Sequence, residues 1–142
     1  MMKTAVERLA EAIGYPEAVP GGAMAFAFTV DGVEIAARES GGRLLLERLL
    51  WRATDGDDEA AARLPAMLAR YAAGRVLREE ATLAWDPTRE AAILWQDVPA
   101  SAPDERLRLL FEVFTASCDW WAERVKEALT PEPVFPEMVI MP

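Results

Sequence analysis

Two short apolar runs, residues 81–85 and 91–95, constrain the possible fold more than any other part of this sequence. The polar, turn-forming residues 86–90 separate them, so the runs predict two strands of one β-hairpin. Large apolar residues occupy alternate positions, but the small apolar residues between them leave the second face barely polar. A strand that is apolar on both faces must be covered on both. We therefore expect part of the cover to come from another molecule.

The composition predicts one globular domain with an acidic surface. The 142 residues are 52% hydrophobic and carry 24 acidic and 15 basic side chains, a net charge of −9. A protein that binds nucleic acid or an anionic membrane needs a basic surface instead. The sequence contains neither an apolar run of about 20 residues nor the apolar core of a signal peptide near its start. We therefore expect no nucleic-acid partner and no membrane insertion.

The sequence is poor in groups that perform chemistry. Histidine is absent and Cys118 is the sole cysteine, so catalytic triads, zinc sites and internal disulfides are not expected. A single cysteine fits a reducing cytoplasm. The paired glycines at 21–22 and 41–42 lack phosphate-loop spacing and predict turns. We thus expect no catalytic residues, cofactor or metal. The remaining enzymatic alternative is a carboxylate pair chosen from Glu79, Glu80, Asp86, Asp97 and Asp119.

The first half of the chain predicts a helix followed by three strands. Residues 4–13 have an apolar face of helical spacing, with Thr4 and Glu7 at capping-box positions and Gly14 as the stop. Residues 23–30, 33–39 and 43–52 predict a meander, joined by a tight turn at Asp31-Gly32 and another at residues 40–42. A helix is the rival interpretation for the leucine-rich residues 43–52. In that third strand, Leu44 and Leu46 are expected on one face and Leu45, Leu49 and Trp51 on the other.

The second half predicts two helices around the hairpin. Asp57 or Asp58 can cap the first, which contains Pro65 and can end at Gly74; residues 75–80 fit either its last turn or the next strand. Residues 105–129 predict a long helix, with Asp104 as its cap. One apolar stripe of this helix should be buried: Leu107, Phe111, Phe114, Cys118, Trp121 and Val125. A second apolar stripe lies alongside it and makes the apolar arc wider than packing against one layer requires. This stripe consists of Leu109, Val113, Ala116 and Trp120.

The predicted order is α-β-β-β-α-β-β-α, an α+β domain over residues 1–129 with helices packed on an antiparallel sheet. Residues 130–142 form a proline-rich apolar tail that we expect to dock on a surface.

This order resembles the class I type III secretion chaperones, the Tir-chaperone family. The local matches are Phe28-Thr-Val-Asp-Gly-Val-Glu-Ile35, the leucine strand at Leu44, residues 64–74 leading into Leu83-Ala-Trp-Asp86, and the helix over 107–125. The resemblance covers residues 3–129. It implies a non-enzymatic cytoplasmic homodimer that holds the extended N-terminal segment of a secreted effector before export. The segment at residues 75–80, which is longer than the family's usual link, the five tryptophans and the apolar tail depart from the family's pattern.

Site residues follow from that resemblance together with the surplus of apolar groups. For effector binding we expect Val6, Leu9, Ile13, Leu44, Leu46 and Trp120. Trp120 can alternatively contact the tail, because adjacent helical residues point about 100° apart and Trp121 takes the core position. For the dimer interface we expect Leu68, Tyr71, Leu83, Trp85, Ile93 and Trp95. A dimeric adaptor or inhibitor-like module that binds a folded partner is the alternative on the same fold.

Overall fold

The computed structural model of the chain describes residues 2–55, 58–75 and 81–129. Two single turns of 3₁₀-helix, Pro16–Ala18 and Ala53–Asp55, join larger elements. The predicted α+β order is confirmed. The larger elements are, in chain order, α1 (Ala5–Ile13), β1 (Ala25–Val30), β2 (Val33–Ser40), β3 (Arg43–Arg52), α2 (Asp58–Arg75), β4 (Thr82–Asp86), β5 (Ala91–Pro99) and α3 (Asp104–Leu129).

The strands form one antiparallel sheet in the order β1-β2-β3-β5-β4. The two-residue turn between β1 and β2 is built by Asp31 (φ 51°) and Gly32 (φ 78°), both left-handed as the twist of a tight hairpin requires. The chain leaves β3, forms α2, and returns through β4 and β5, so that β5 inserts between β3 and β4. This crossover makes β1 and β4 the two edge strands.

Thr4 starts α1 through the predicted capping box. The Thr4 hydroxyl accepts a hydrogen bond from the Glu7 N–H (3.1 Å), while the Glu7 carboxylate accepts one from the Thr4 N–H (3.0 Å). These reciprocal bonds satisfy backbone donors that a helix start leaves unpaired. Gly14 ends the helix in the left-handed conformation (φ 88°) that favours glycine. The Thr4 hydroxyl also donates to the Ala23 carbonyl (2.7 Å), which ties α1 to the chain entering β1.

β3 spans the predicted residues and excludes the helical alternative, but one predicted facing was wrong. Its pairing with β5 shifts between Leu49 and Trp51, since Leu49 pairs with Ile93 and Trp51 with Ala92. This bulge turns Trp51 from the face of Leu45 and Leu49 to the opposite face, where it is buried. A simple alternation of faces cannot predict an inserted residue.

The three helices pack on one face of the sheet and enclose the core. Contacts link α1 to β2, α2 to β4, and α3 to β3, β5 and the other two helices. The predicted buried stripe of α3 is confirmed, and the strands contribute the rows that face it. The largest fully buried side chains are Trp121, Phe114, Leu9, Ile35, Leu44, Leu46, Leu64, Leu94 and Leu107.

Smaller sequence predictions had mixed outcomes. Asp104 is the first residue of α3 rather than its predicted cap, and α2 continues one residue past Gly74 with Pro65 inside it. β5 extends to Pro99, well beyond the predicted run at 91–95. Asp57, residues 76–80 and the tail at 130–142 lie outside the described residues, so the predictions for them stay predictions.

Candidate functional site

Among the described residues, one uncovered apolar feature is a pocket between α2 and β4, which we call the α2–β4 pocket. Its volume is about 530 Å³. The described residues that line it carry no charge: they are Pro65, Leu68, Ala69, Ala73, Leu83, Ala84, Trp85 and Ala92. An apolar concavity with so few polar groups offers contact area but no means of orienting a reacting group. It is therefore suited to receive apolar side chains.

Trp85 gives this pocket its most accessible large side chain. The residue lies on the edge strand β4 and remains 37% exposed, although its ring approaches that of buried Trp51 with centroids 6.2 Å apart. A partly exposed tryptophan anchored on a buried one is preorganised for contact, because little side-chain freedom remains to be lost. Trp85 is thus the strongest single candidate for a contact with a partner.

The structure separates the six residues predicted at the dimer interface. Leu68, Leu83 and Trp85 lie together in the α2–β4 pocket. Ile93 and Trp95 alternate with buried Leu94 and therefore face the opposite side of the sheet. Sequence reasoning placed both faces of the hairpin in one interface, whereas the sheet makes them two separate surfaces.

Tyr71, the sixth predicted interface residue, contributes to the junction between α2 and α3. Its ring meets that of Trp120 edge to face, with centroids 6.3 Å apart. Trp120 in turn contacts Trp121 at 4.9 Å and lies under the Arg124 guanidinium, also at 4.9 Å. Tyr71 and Trp120 are both half-buried, so each keeps part of its ring accessible. The prediction that Trp121 belongs to the core is confirmed.

The second uncovered surface is the side of the sheet away from the helices, which we call the open sheet face. Its apolar centre on β3 and β5 consists of Leu45, Leu49, Ile93 and Trp95, all half-buried. On β1 and β2 the outward positions are exposed residues such as Ala27 and Ala36. Among the described residues no helix packs on this face, so its four larger side chains are covered only by neighbours on the sheet surface.

Ion pairs flank the apolar centre of the open sheet face. At one end the Arg43 guanidinium lies 3.0 Å from the Asp97 carboxylate. At the other end Arg89, in the β4–β5 turn, pairs with Asp86 and also reaches Glu47, which lies between Leu45 and Leu49 in the outward row of β3. The hydrogen bond from the Arg89 side chain lowers the pKa of Asp86, with the Arg89 and Thr88 backbone N–H groups adding to the effect. These charges satisfy each other within the chain, which leaves mainly apolar contact for a partner.

The third uncovered feature is the outer edge of β1, which pairs with no other strand of the described residues and is called the free edge. In a two-residue hairpin the residues flanking the turn, Val30 and Val33, form a hydrogen-bonded pair, and such pairs alternate along the ladder. Ala25, Ala27 and Thr29 therefore direct their N–H and C=O groups away from β2, toward the free edge. Met24 precedes this edge and is 51% exposed. Unpaired strand edges of this kind accept an additional strand.

The residues predicted for effector binding are mostly buried in the domain's own core. Val6, Leu9, Leu44 and Leu46 have no exposed area, because α1 and the inward row of β3 pack directly under α3. Ile13 is partly buried and packs against the same core. Apolar periodicity identified these faces correctly, but it could not distinguish a face that meets another molecule from one that meets the rest of the chain.

Sequence reasoning missed one exposed apolar pair. Leu109 (55% exposed) and Val113 (41%) lie one helical turn apart on α3 and border a groove of about 190 Å³ with Val98 and Leu110. Their stripe was recognised as surplus, yet neither residue was assigned a role. The available signal was the i, i+4 spacing of two large apolar residues outside the buried stripe.

Of the acidic residues considered for a catalytic pair, two are held in ion pairs within the described part of the chain. Asp86 is held by Arg89 and Asp97 by Arg43, while Glu79 and Glu80 lie outside the described residues. Those described residues also contain no cluster of three or more acidic or cysteine side chains that could hold a metal ion. Cys118 is buried beside the core stripe, as predicted.

Comparison with known proteins gives a consistent fold. One match is a chain of the HopA1–SchA chaperone–effector complex, at 15% identity over 84% of this chain and 91% of that one, with a TM-score of 0.58. Another belongs to the heterodimeric ExoU–SpcU complex from the type III secretion system of Pseudomonas aeruginosa, at 16% identity over 88% and 97% of the two chains, TM-score 0.58. A chain of the ExsC–ExsE complex matches at 16% identity over 83% and 91%, TM-score 0.56.

The domain therefore has the fold found in chaperone–effector complexes of type III secretion, as the sequence resemblance implied. No family model and no curated protein matches the chain. At these identities the likeness establishes the fold. Within the described residues, no helix is long and apolar enough to cross a membrane.

Proposed function

We propose that this protein is a cytoplasmic type III secretion chaperone that binds the extended N-terminal segment of an effector and keeps it competent for export. The observation that carries the proposal is the free β1 edge, on a fold shared with chaperone–effector complexes. An extended client can add a strand there through main-chain hydrogen bonds. Its alternate side chains would contact the apolar surface beside the edge, starting with exposed Met24.

Apolar contact rather than catalysis is the activity that the uncovered surfaces support. Ordering a flexible client costs several kcal/mol, roughly 2–5, which must be offset by extensive contact. The α2–β4 pocket and the open sheet face provide apolar area, and their charged neighbours are already paired. A client held this way would be recognised by its apolar pattern and its extended backbone.

The client is identified by purifying the protein from its native cytoplasm and analysing bound polypeptides by mass spectrometry. We expect a secreted polypeptide that binds through its N-terminal region. A bound small metabolite, or a folded partner that binds through a compact domain, would contradict the proposal. The second outcome would favour the adaptor alternative.

The binding mode is tested with Ala27→Pro. Proline removes the N–H that Ala27 directs toward the free edge, and it leaves the β1–β2 ladder intact because Ala27 is not in a hydrogen-bonded pair. We expect client affinity to fall by about tenfold, the value of roughly one lost hydrogen bond in a low-dielectric contact. Ala27→Val is the matched control, since it keeps the N–H and favours the strand. Equal loss of affinity in both variants would contradict strand addition.

We further propose that the α2–β4 pocket is the homodimer interface, with Leu83 and Trp85 at its centre beside buried Leu68, and that Tyr71, on α2 at the junction with α3, belongs to the same interface. The pocket's size, its apolar lining and the preorganised Trp85 support this assignment. Trp85→Glu should convert the dimer to monomer, because a charge would be buried without a partner. Thr82→Glu, an exposed position on the same strand, is the control. An unchanged mass of the Trp85 variant in light scattering would count against this interface.

A further inference from the structure

The open sheet face lacks a cover, and the position where α3 ends indicates what can reach it. α3 begins near the end of β5, beside the α1 residue Arg8, which pairs with Asp104 at 2.8 Å. Farther along, Cys118 and Asp119 lie beside Val30 and Val33, which flank the β1–β2 turn. About ten more residues of helix, roughly 15 Å, follow Asp119. Leu129 therefore lies at or beyond the sheet end that carries this turn.

The same sheet end carries a depression of about 400 Å³ on the open sheet face, next to Leu49 and Ala36. Its lining has mixed charge, because Arg48, Arg52 and Arg89 border it together with Glu34 and Glu47. Arg89 pairs with Glu47 and Asp86, so the depression offers space beside Leu49 rather than a net positive charge.

The thirteen residues that follow Leu129 have the composition to match this face. Residues 130–142 carry two glutamates and no basic residue, and prolines at 131, 133 and 136 disfavour a helix. Fully extended, thirteen residues span roughly 40 Å, enough to turn around the sheet end and follow β3 or β5. Their apolar side chains are Val134, Phe135, Met138, Val139, Ile140 and Met141.

We propose that residues 130–142, called the tail, cover the open sheet face of their own chain. In this arrangement apolar side chains of the tail, Ile140 among them, contact Leu49 and Ile93. Because the tail is tethered, its effective concentration is on the order of millimolar, so modest contact suffices. Tail docking does not depend on the proposed function. If a client uses the same face, the tail would have to be displaced first.

Cross-linking in the full chain tests the contact directly. Cysteines are introduced by Leu49→Cys and Ile140→Cys, since the native Cys118 is buried. We expect a disulfide with the mass of one chain, at a rate independent of protein concentration. The control pairs Ile140→Cys with Ala25→Cys, an exposed position near the opposite end of the sheet on β1. We expect cross-linking to Leu49→Cys to be about tenfold faster.

Two cross-linking outcomes would overturn the proposal. A disulfide that joins two chains would assign the tail to a second copy, and equal rates at the two positions would indicate no preferred contact. A second measurement changes only the tail: Val139→Asp with Ile140→Asp should increase binding of an apolar fluorescent dye several-fold, while Thr130→Asp should not. Unchanged dye binding in the double variant would also overturn it. Client affinity is not measured in either test, so failure here leaves the proposed function standing.

Discussion

The two faces of β3 differ in what covers them, although their sequences are almost equally apolar. Leu44 and Leu46 face the helices and have no exposed area, whereas Leu45 and Leu49 face outward and are half-buried. Leucine therefore serves the core on one face and forms a surface on the other. The difference teaches that apolarity alone does not distinguish a core face from an exposed one, because the position of the helices decides which face is covered.

The largest effect is expected from substituting Trp51, which the bulge in β3 places on the covered face. Trp51→Ala should lower the free energy of unfolding by about 3–5 kcal/mol, because it leaves a cavity beneath the helices. Trp51→Phe should cost much less, since it keeps most of the packing and removes an indole N–H that lacks a hydrogen-bond partner among the described residues. Urea unfolding measures both. A small loss in the alanine variant would mean that Trp51 faces outward after all.

Adjacent leucines on β3 provide the sharpest form of the comparison. Leu46→Ala should cost about 2–5 kcal/mol, the usual range for a fully buried leucine. Leu45→Ala, one residue away, should cost less than about 1 kcal/mol, because truncating a half-buried side chain leaves no enclosed cavity. Both variants are compared by chemical denaturation at equal protein concentration. Equal losses would show that the open sheet face is covered as completely as the core.

Substitutions at Thr4 test how the capping box holds α1 on the covered face of the sheet. Thr4→Ala should cost about 1 kcal/mol, since it removes the acceptor of the Glu7 N–H and the donor to the Ala23 carbonyl. Thr4→Ser keeps both bonds and should remain within a few tenths of the parent. Thermal unfolding monitored by circular dichroism distinguishes them. If serine and alanine were equally destabilising, the hydroxyl bonds would not be the cause.

The smallest expected effect concerns the charges of the open sheet face. The Arg89 hydrogen bond lowers the pKa of Asp86 in the folded protein, so its contribution to stability is present above the ordinary carboxyl pKa. That contribution is lost as the pH falls through the lowered folded-state value. Asp86→Asn keeps an oxygen that can accept from the Thr88 N–H, 2.9 Å from Asp86 Oδ1 in the parent, but has no charge.

Denaturation midpoints of the parent and Asp86→Asn between pH 7 and pH 3 measure this effect. Because the pair is at the surface, the difference at pH 7 should be small and should shrink in acid and in high salt. A difference that grows toward acid pH would contradict the assigned direction.

Much of the fold could be predicted from local pattern. The ends of α1 followed from Thr4, Glu7 and Gly14, and the first hairpin from Asp31-Gly32, because these residues act through bonds and dihedral angles within a few positions. The buried stripe of α3 followed from helical periodicity. The Trp51 bulge and the extension of β5 to Pro99 could not be predicted, since both depend on pairing with a strand distant in sequence.

The candidate site was less predictable than the fold. Trp85 and Leu83 were predicted as contact residues from their surplus apolarity; they line the α2–β4 pocket, and their contact with a partner stays a prediction. Val6 and Leu9 had the same amphipathic signature, yet α1 buries them against the domain itself. A pattern of apolar residues reports that a face requires a cover, but it does not report which molecule supplies that cover.

The sequence by itself determined the order of helices and strands, the tight turns, the acidic surface and the scarcity of catalytic groups, because these depend on composition and on neighbours along the chain. Only the tertiary structure decided which apolar faces the other described residues cover and which they leave uncovered. That outcome depends on the crossover that inserts β5 between β3 and β4 and on all three helices packing on one side of the sheet.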